Sequence, residues 1–214
     1  MNPETFVTRE AAAFTYNLKF KDLPGEAVRI AKRCVLDGLG LMVAGSDQPC
    51  TAIIRRHSAG LGKVPEASVL GGEPNLMAAP LAALVNGTAG HAMDWDDTQL
   101  SVTPDRIYGL LTHPTIPCLS AGLAVAEKLG RVSGRDFLSA FLAGFEVECK
   151  IAEAIRPDHY KRGFHTSGTV GTFGAAVTVG KLLGLSESQL CHALGASASM
   201  AAGIRASFGT MMKP

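Results

Sequence analysis

The feature that most constrains this chain is its helical periodicity. Apolar residues recur at the spacing of an α-helix in most segments, and no segment shows the strong alternation that is typical of a half-buried strand. Glycine and alanine are abundant, whereas aromatic residues make up only 6% of the chain. Because small side chains let helices approach closely, the pattern predicts an all-α fold, built as a tight helical bundle.

The composition indicates one sizeable buried core. Hydrophobic residues make up 47% of the 214 residues and charged residues 18%, which excludes an intrinsically disordered protein. This length is sufficient for a domain with its own core, so we predict a single helical domain over 1–214. The sequence stops at Met211-Met-Lys-Pro214 without a polar tail. We therefore also expect the domain to be a truncated part of a larger, two-domain protein.

The helices can be placed approximately from apolar periodicity and capping residues. A short extended segment is predicted at 67–72. Ser186, followed three residues later by Gln189, has the pattern of a capping box that begins the last helix. The other predicted helices cover 8–18, 24–45, 51–59, 75–92, 114–129, 133–155 and 167–183.

Charge, cysteines and hydropathy exclude several classes of function. The net charge is +1 with dispersed basic residues, which argues against nucleic acid as a partner. The five cysteines include no CxxC pair, so neither a disulfide framework nor a zinc knuckle is indicated. The N-terminus lacks a secretion signal, and the least charged stretch, 163–180, contains His165 and several threonines. We expect a cytoplasmic protein that does not span a membrane.

The most informative segment is 90–98, Gly-His-Ala-Met-Asp-Trp-Asp-Asp-Thr, where three carboxylates surround the only tryptophan. If the preceding helix continues, Asp94 and Thr98 lie four residues apart on one face, with His91 near that face. Acidic residues at a helix C-terminus oppose the helix dipole, so a compensating role is expected. The alternative is an acidic helix end whose charges are solvated.

Two histidines and a lysine are further candidates. His113 precedes a helix start, which is a place that favours anions, although a histidine in a proline turn is the simpler alternative. His165 lies between glycines that allow the backbone to approach a ligand; the alternative is a helix cap with an incidental histidine. Lys213 follows a flexible segment and would otherwise be only a solvated lysine.

Metal and dinucleotide binding are weaker hypotheses. The aspartates and histidines at 91–98 and 113 could be arranged around a metal ion, but the sequence has neither an HExxH motif nor an EF-hand loop. The glycines at 168, 171 and 174 lack the spacing and the preceding strand of a dinucleotide fingerprint. We expect no metal site and no cofactor.

Together these elements resemble the MmgE/PrpD family, which includes 2-methylcitrate dehydratase, cis-aconitate decarboxylase and iminodisuccinate epimerase. The resemblance follows chain order over nearly the whole sequence. It rests on the segments 91–98, 113–114, 163–169, 174–185 and 212–214.

The resemblance implies a large helical domain plus a smaller α/β domain, which this chain lacks, and homodimeric enzymes that work without cofactors. It implies a pocket for a small polycarboxylate. The connection 99–112 is longer than the family pattern and could reshape the entrance. The residues that fall on the family's active-site positions are Asp94, Thr98, His113, His165 and Lys213.

A mechanism can be assigned to these residues as a hypothesis. A proton beside a carboxylate is weakly acidic, so its removal requires a base and neutralisation of the carboxylate charge. We expect His165 to transfer the proton, and Lys213 and His113 to hold substrate carboxylates. Asp94 would orient a histidine or take part in proton transfer, and Thr98 would hydrogen-bond the substrate.

The final reaction is left open by these residues. On family grounds a dehydratase acting on 2-methylcitrate, a compound of propionate metabolism, ranks first. Epimerisation and decarboxylation by the same family are alternatives. A non-catalytic binding or dimerisation fragment is a rival class, and a metal-dependent hydrolase is a weaker one.

Overall fold

The structure is a computed structural model that describes residues 6–62, 64–73, 75–100 and 110–214. Its described part is mainly helical, with two small antiparallel hairpins, which confirms the all-α bundle. The helices are α1 (Val7–Asn17), α2 (Gly25–Ala44), α3 (Pro49–Ala59), α4 (Ala79–His91), α5 (Thr115–Leu129), α6 (Gly134–Lys161), α7 (Thr166–Leu182) and α8 (Glu187–Met200). The strands are β1 (Ala67–Val69), β2 (Asn75–Met77), β3 (Gln99–Leu100) and β4 (Leu110–Thr112).

The small residues let α5 and α7 lie at the centre of the packing. Helix α7 contacts α5, α6 and α8, while α4 contacts α2, α3 and α5. A Cβ atom added to Gly122 of α5 would stand 2.9 Å from the Thr178 methyl group of α7. The close approach of these two helices therefore depends on glycine, as the composition predicts for a tight bundle.

Local signals locate several helix starts well. Ser186 and Gln189 form the predicted capping box, with Ser186 Oγ accepting from Gln189 N at 3.3 Å and Gln189 Oε1 accepting from Ser186 N at 2.9 Å. Ser133 caps α6 by accepting from Asp136 N at 3.1 Å. Helix α6 continues to Lys161, beyond the predicted end at 155.

The prediction of one helix over 75–92 is wrong at its beginning. Asn75–Met77 is strand β2, which pairs antiparallel with the predicted extended segment at Ala67–Val69. Helix α4 begins only at Ala79, with Pro80 in its first turn. The Asn86 side chain fastens the hairpin to α4, since it accepts from Leu70 N and donates to Ser68 O, both at 2.9 Å.

The second hairpin is formed by the two ends of the segment 99–112, which is expected to reshape the entrance. Gln99 pairs with Thr112 and Leu100 with Leu110; residues 101–109 lie outside the described residues. Within the described ranges, no helix is long and apolar enough to cross a membrane.

Candidate active site

Four parts of the fold converge on one cleft of about 180 Å³. They are the end of α4 with its following turn, the junction between β4 and α5, the first turn of α7, and the segment 201–214. Its polar lining consists mainly of His91, Asp96, His113, His165, Ser167 and Lys213. The sequence-predicted residues His113, His165 and Lys213 are thus brought together.

The chain leaves the helical conformation immediately after His91. Asp94 has a positive φ of 57°, in the left-handed region, so the helix cannot continue through it. The expectation that Asp94 and Thr98 share a helical face with His91 is therefore wrong. Thr98 is exposed and lies outside the lining of the cleft, so its contact with a substrate stays a prediction.

The three carboxylates of the turn each have a different partner. Asp94 contacts the Lys213 ammonium, and Asp96 accepts from His91. Asp97 accepts from Thr115 N at 3.2 Å and from Thr115 Oγ1 at 2.7 Å, so it caps α5 at the helix end that favours negative charge. Burial raises the pKa of Asp97, and the bonds from Thr115 offset this only in part. Each of the three carboxylates thus has its own partner, which the alternative of an acidic helix end with solvated charges does not predict.

His113 is held at the inner wall of the cleft. Its backbone N–H donates to Ser167 Oγ at 3.0 Å, which ties the start of α5 to the first turn of α7. His113 is a buried residue, with 5% of its surface exposed. Its Nε2 lies 3.7 Å from Asp94 Oδ1 and its Nδ1 lies 3.5 Å from Asp96 Oδ1. The imidazole therefore stands between two carboxylates.

His165 is the N-cap of α7 and is buried. Its backbone N–H donates to Gly203 O at 3.0 Å, and its ring meets the Phe208 ring edge-on at a centroid distance of 4.8 Å. Burial, together with the nearby His91 and Lys213, lowers the pKa of His165 to about 4. The ring is therefore neutral at pH 7, and its buried Nε2 has no hydrogen-bond partner among the described residues.

Lys213 closes the cleft from the segment 201–214. Its ammonium contacts Asp94 and lies 5.1 Å from the centre of the Phe208 ring. Its side chain is 9% exposed, whereas that of Asp94 is 57% exposed. Partial burial acts to raise the pKa of Asp94, but Lys213 and the neighbouring histidines outweigh it and the pKa is lowered. A positive charge is thus fixed at the mouth of the cleft.

His91 and Asp96 both belong to the cleft, although no specific role is predicted for either from sequence. His91 Nδ1 lies 2.9 Å and 2.8 Å from the two carboxylate oxygens of Asp96. The ring centroid of His91 lies 4.9 Å from that of His113 and 5.8 Å from that of His165. Only the pair's spacing of five residues around a turn could have indicated this contact, and that spacing is common.

A metal ion is disfavoured by the way the donor atoms are used. One donor atom from each of His91, Asp94, Asp96 and His113 lies within 4.8 Å of the others. However, the Lys213 ammonium already contacts Asp94, and both Asp96 oxygens lie at His91 Nδ1. A cation would have to compete with a fixed ammonium, whereas a substrate carboxylate would be attracted by it. The arrangement suits an organic anion.

Two larger grooves elsewhere carry no comparable chemistry. A groove of about 350 Å³ between α1 and α6 and an open one of about 590 Å³ along α2 are lined by residues that include no histidine. The chemistry of its lining, and not its size, therefore marks the histidine cleft as the candidate active site.

Comparison with known proteins gives a consistent result. The MmgE/PrpD N-terminal domain family matches residues 9–214. Human cis-aconitate decarboxylase is 32% identical over 213 residues, which are 97% of this chain and 42% of the relative. Cis-aconitate decarboxylase of Aspergillus terreus is 28% identical over 215 residues, 99% of this chain and 43% of the relative. The chain thus spans less than half the length of these relatives, and it belongs to the MmgE/PrpD family.

Proposed function

We propose that this chain provides the proton-transfer and carboxylate-binding side of a cofactor-free lyase that acts on a small tricarboxylic acid. The observation that carries the proposal is the meeting of three imidazoles and one ammonium in a single cleft. Such a site combines fixed positive charge for carboxylates with nitrogen lone pairs that can exchange a proton.

Carboxylate binding is supported by two features of the cleft. Lys213 supplies a fixed positive charge at the mouth. Ser167 and Gly168 also line the cleft, in the first turn of α7, where the free N–H groups of a helix N-terminus favour an anion. A Cβ atom on Gly168 would stand 2.9 Å from Ala202 O, so glycine allows the segment that carries Lys213 to approach this helix end.

Proton transfer is supported by the state of His165. Its pKa of about 4 leaves the imidazole neutral at pH 7, so the Nε2 lone pair is available within the cleft. Elimination of water begins when a base removes the proton beside a carboxylate. Loss of CO₂ instead leaves an electron pair that ends as a new C–H bond, which requires an acid. A neutral imidazole can act directly as the base, and it can act as the acid once it has taken up a proton on Nε2.

The similarity to cis-aconitate decarboxylases makes decarboxylation of cis-aconitate the first reaction to test. Dehydration of 2-methylcitrate, which ranks first from the sequence alone, is the second candidate, and epimerisation is the third. All three require positive charge for the substrate carboxylates and a side chain that exchanges a proton.

The test offers cis-aconitate, 2-methylcitrate and citrate to chelator-treated protein, both the 214-residue chain and any longer form that its gene encodes. Release of CO₂ and new C=C absorbance are followed. Activity that survives chelation supports the proposal. Activity that disappears on chelation and returns with metal contradicts it. Inactivity of every form contradicts catalysis and favours a binding or dimerisation module.

Replacing the proposed proton carrier distinguishes catalysis from binding. In the active form, His165→Ala is expected to lower kcat by about 10²- to 10⁴-fold, because a positioned acid or base typically contributes that factor. KM should change only several-fold. His57→Gln, at an exposed histidine on α3, is the control and should leave both constants unchanged. Equal losses in kcat and in binding would contradict the assignment to His165.

A further inference from the structure

We propose that His91 is a second proton-transferring residue of the cleft and that Asp96 orients it. This inference rests on the proposed function, because His91 would act on the same substrate as His165. It is carried by the hydrogen bond between the two side chains and by the other ring nitrogen of this cleft-lining histidine, which has no partner among the described residues.

The first step concerns the burial of Asp96. Its side chain is 1% exposed, and both carboxylate oxygens lie within 2.9 Å of His91 Nδ1. The other nitrogen near it, His113 Nδ1, is 3.5 Å away. A buried carboxylate is costly unless a donor satisfies it, and His91 is the donor in the best position. The proton of the neutral His91 ring is therefore held on Nδ1.

The second step follows from this tautomer. With the proton on Nδ1, the lone pair of the neutral ring is on Nε2. This Nε2 is buried and has no hydrogen-bond partner among the described residues, and His91 lines the cleft. An unsatisfied buried nitrogen costs stability, so its retention at the cleft is explained by a ligand that supplies or accepts a proton there.

The third step compares His91 with His165. The two rings are stacked at 23° with centroids 5.8 Å apart, and each has an unpartnered Nε2. The difference between them is the carboxylate: Asp96 lies against His91 Nδ1, while no such bond to His165 is found in the described part of the chain. A carboxylate at Nδ1 fixes the ring and stabilises its protonated form. His91 therefore has an orienting carboxylate that His165 lacks in the described part of the chain.

The proton balance can be written for decarboxylation of cis-aconitate. The C–C bond to the departing carboxylate breaks and CO₂ leaves. The electron pair moves to form a new C=C bond, and the pair of the original C=C bond takes a proton from Nε2–H of the His91 imidazolium. His91 becomes neutral with its remaining proton on Nδ1 towards Asp96, and solvent returns a proton to Nε2.

The first experiment needs no turnover. Nitrogen-15 NMR of the imidazoles is recorded on the wild-type chain, and the His91 signal is assigned by its absence from His91→Gln. The expected result is a proton on Nδ1 and a shift of this signal in Asp96→Asn. An Nδ1 without a proton, or a signal that Asp96→Asn leaves unchanged, overturns the orienting role.

The second experiment uses the active form of the protein. His91→Gln is expected to lower kcat by at least 10²-fold, and Asp96→Asn by about 10-fold or more through the misoriented ring, with KM changed only several-fold in both. His57→Gln is the matched control. Circular dichroism and the urea midpoint identify variants that fail to fold, and for those the NMR result decides.

The outcomes separate the two proposals. Wild-type protein without activity counts against the proposed function, whereas the NMR result still decides the tautomer. Active wild-type protein with undiminished kcat in His91→Gln overturns the present inference and leaves His165 as the proton carrier.

Discussion

Asp96 in the cleft and Glu148 in the helix packing are two carboxyl groups removed almost completely from water, but their partners differ. The Asp96 side chain is 1% exposed and faces the imidazoles of His91 and His113. Glu148, in α6, is fully buried. In the described structure it contacts only uncharged groups, the Thr112 hydroxyl at 2.7 Å and the Cys118 thiol at 3.7 Å.

The partner decides what each carboxyl group can do. Burial raises the pKa of Glu148 well above its ordinary value, and the bonds from Thr112 and Cys118 do not compensate. Glu148 is therefore a neutral acid that stabilises the packing. Asp96 has proton donors beside it and can polarise them. Burial is thus common to the two acids, and the imidazoles beside Asp96 distinguish it from Glu148.

The substitution with the largest expected effect on stability, Gly174→Ala, tests how closely the protein packs around Glu148. A Cβ atom on Gly174 of α7 would stand 2.4 Å from Glu148 Oε2 and 2.8 Å from Cys118 Sγ. Gly174→Ala is therefore expected to lower the free energy of unfolding by about 1–3 kcal/mol, measured by urea titration. Gly195→Ala, in an exposed part of α8 with open space at its Cβ, is the control. It should be neutral or slightly stabilising. Equal effects of the two substitutions would contradict the tight packing.

The second prediction tests whether Glu148 is neutral. Folding raises the pKa of Glu148, so the unfolded chain releases this proton at a lower pH than the folded chain does. The free energy of unfolding therefore falls as the pH rises from the unfolded pKa towards the folded pKa. Glu148→Gln should remove this pH dependence of the free energy of unfolding, which is at most about 1.4 kcal/mol per pH unit. Relative to the wild-type protein, the variant should therefore become more stable at alkaline pH. Unfolding of both proteins at several pH values measures it. Identical pH profiles would show that Glu148 is not titrating as described.

The third prediction concerns a histidine whose contribution to the pH dependence has the opposite sign. The pKa of His165 is lowered from 6.5 to about 4, so between these values the unfolded chain binds a proton that the folded chain does not. This contribution to stability is present above pH 6.5 and is lost as the pH falls towards 4. His165→Asn should remove this contribution below pH 6.5 and leave the slope above that value unchanged. A changed slope above pH 6.5 would contradict the assignment to His165.

The smallest expected effect concerns a carboxylate with a cation at the surface. Asp94 contacts Lys213 but is 57% exposed, so Asp94→Asn should change the free energy of unfolding by less than about 1 kcal/mol. Glu26→Gln, which breaks another exposed pair with Arg29, is the control of similar size. A loss several times larger in Asp94→Asn would mean that docking of the segment 201–214 depends on this pair.

The parts of the fold that local rules determine were predictable from sequence. Ser186 and Gln189 cap α8 as predicted, and the apolar periodicity located the helices. The site was predictable only in part. His113, His165 and Lys213 meet as expected, but the bond between His91 and Asp96 depends on the chain turning left-handed at Asp94, which no local preference requires of an aspartate.

Glu148 shows the same limit in the core. It lies two residues after Glu146 in one helix, yet Glu146 has a side-chain exposure of 52% and Glu148 is fully buried. The difference arises because α7 covers one face of α6 and presents Gly174 there. Burial of one glutamate and exposure of the other thus come from tertiary packing, which the local sequence does not encode.

The anchoring of the segment 201–214 has a consequence for synthesis of the protein on the ribosome. The His165 N–H donates to Gly203 O, and Phe164 forms an antiparallel bridge with Ile204. These contacts anchor the segment whose Lys213 contacts Asp94, 119 positions earlier in the chain. A nascent chain can bring His91, His113 and His165 together as soon as α7 has emerged. It cannot hold a polyanion with the ammonium until Lys213 has left the exit tunnel and the segment has docked. Contacts of such long sequence separation form late, so the affinity for a polyanion that the proposed function requires should arise only after Lys213 has emerged.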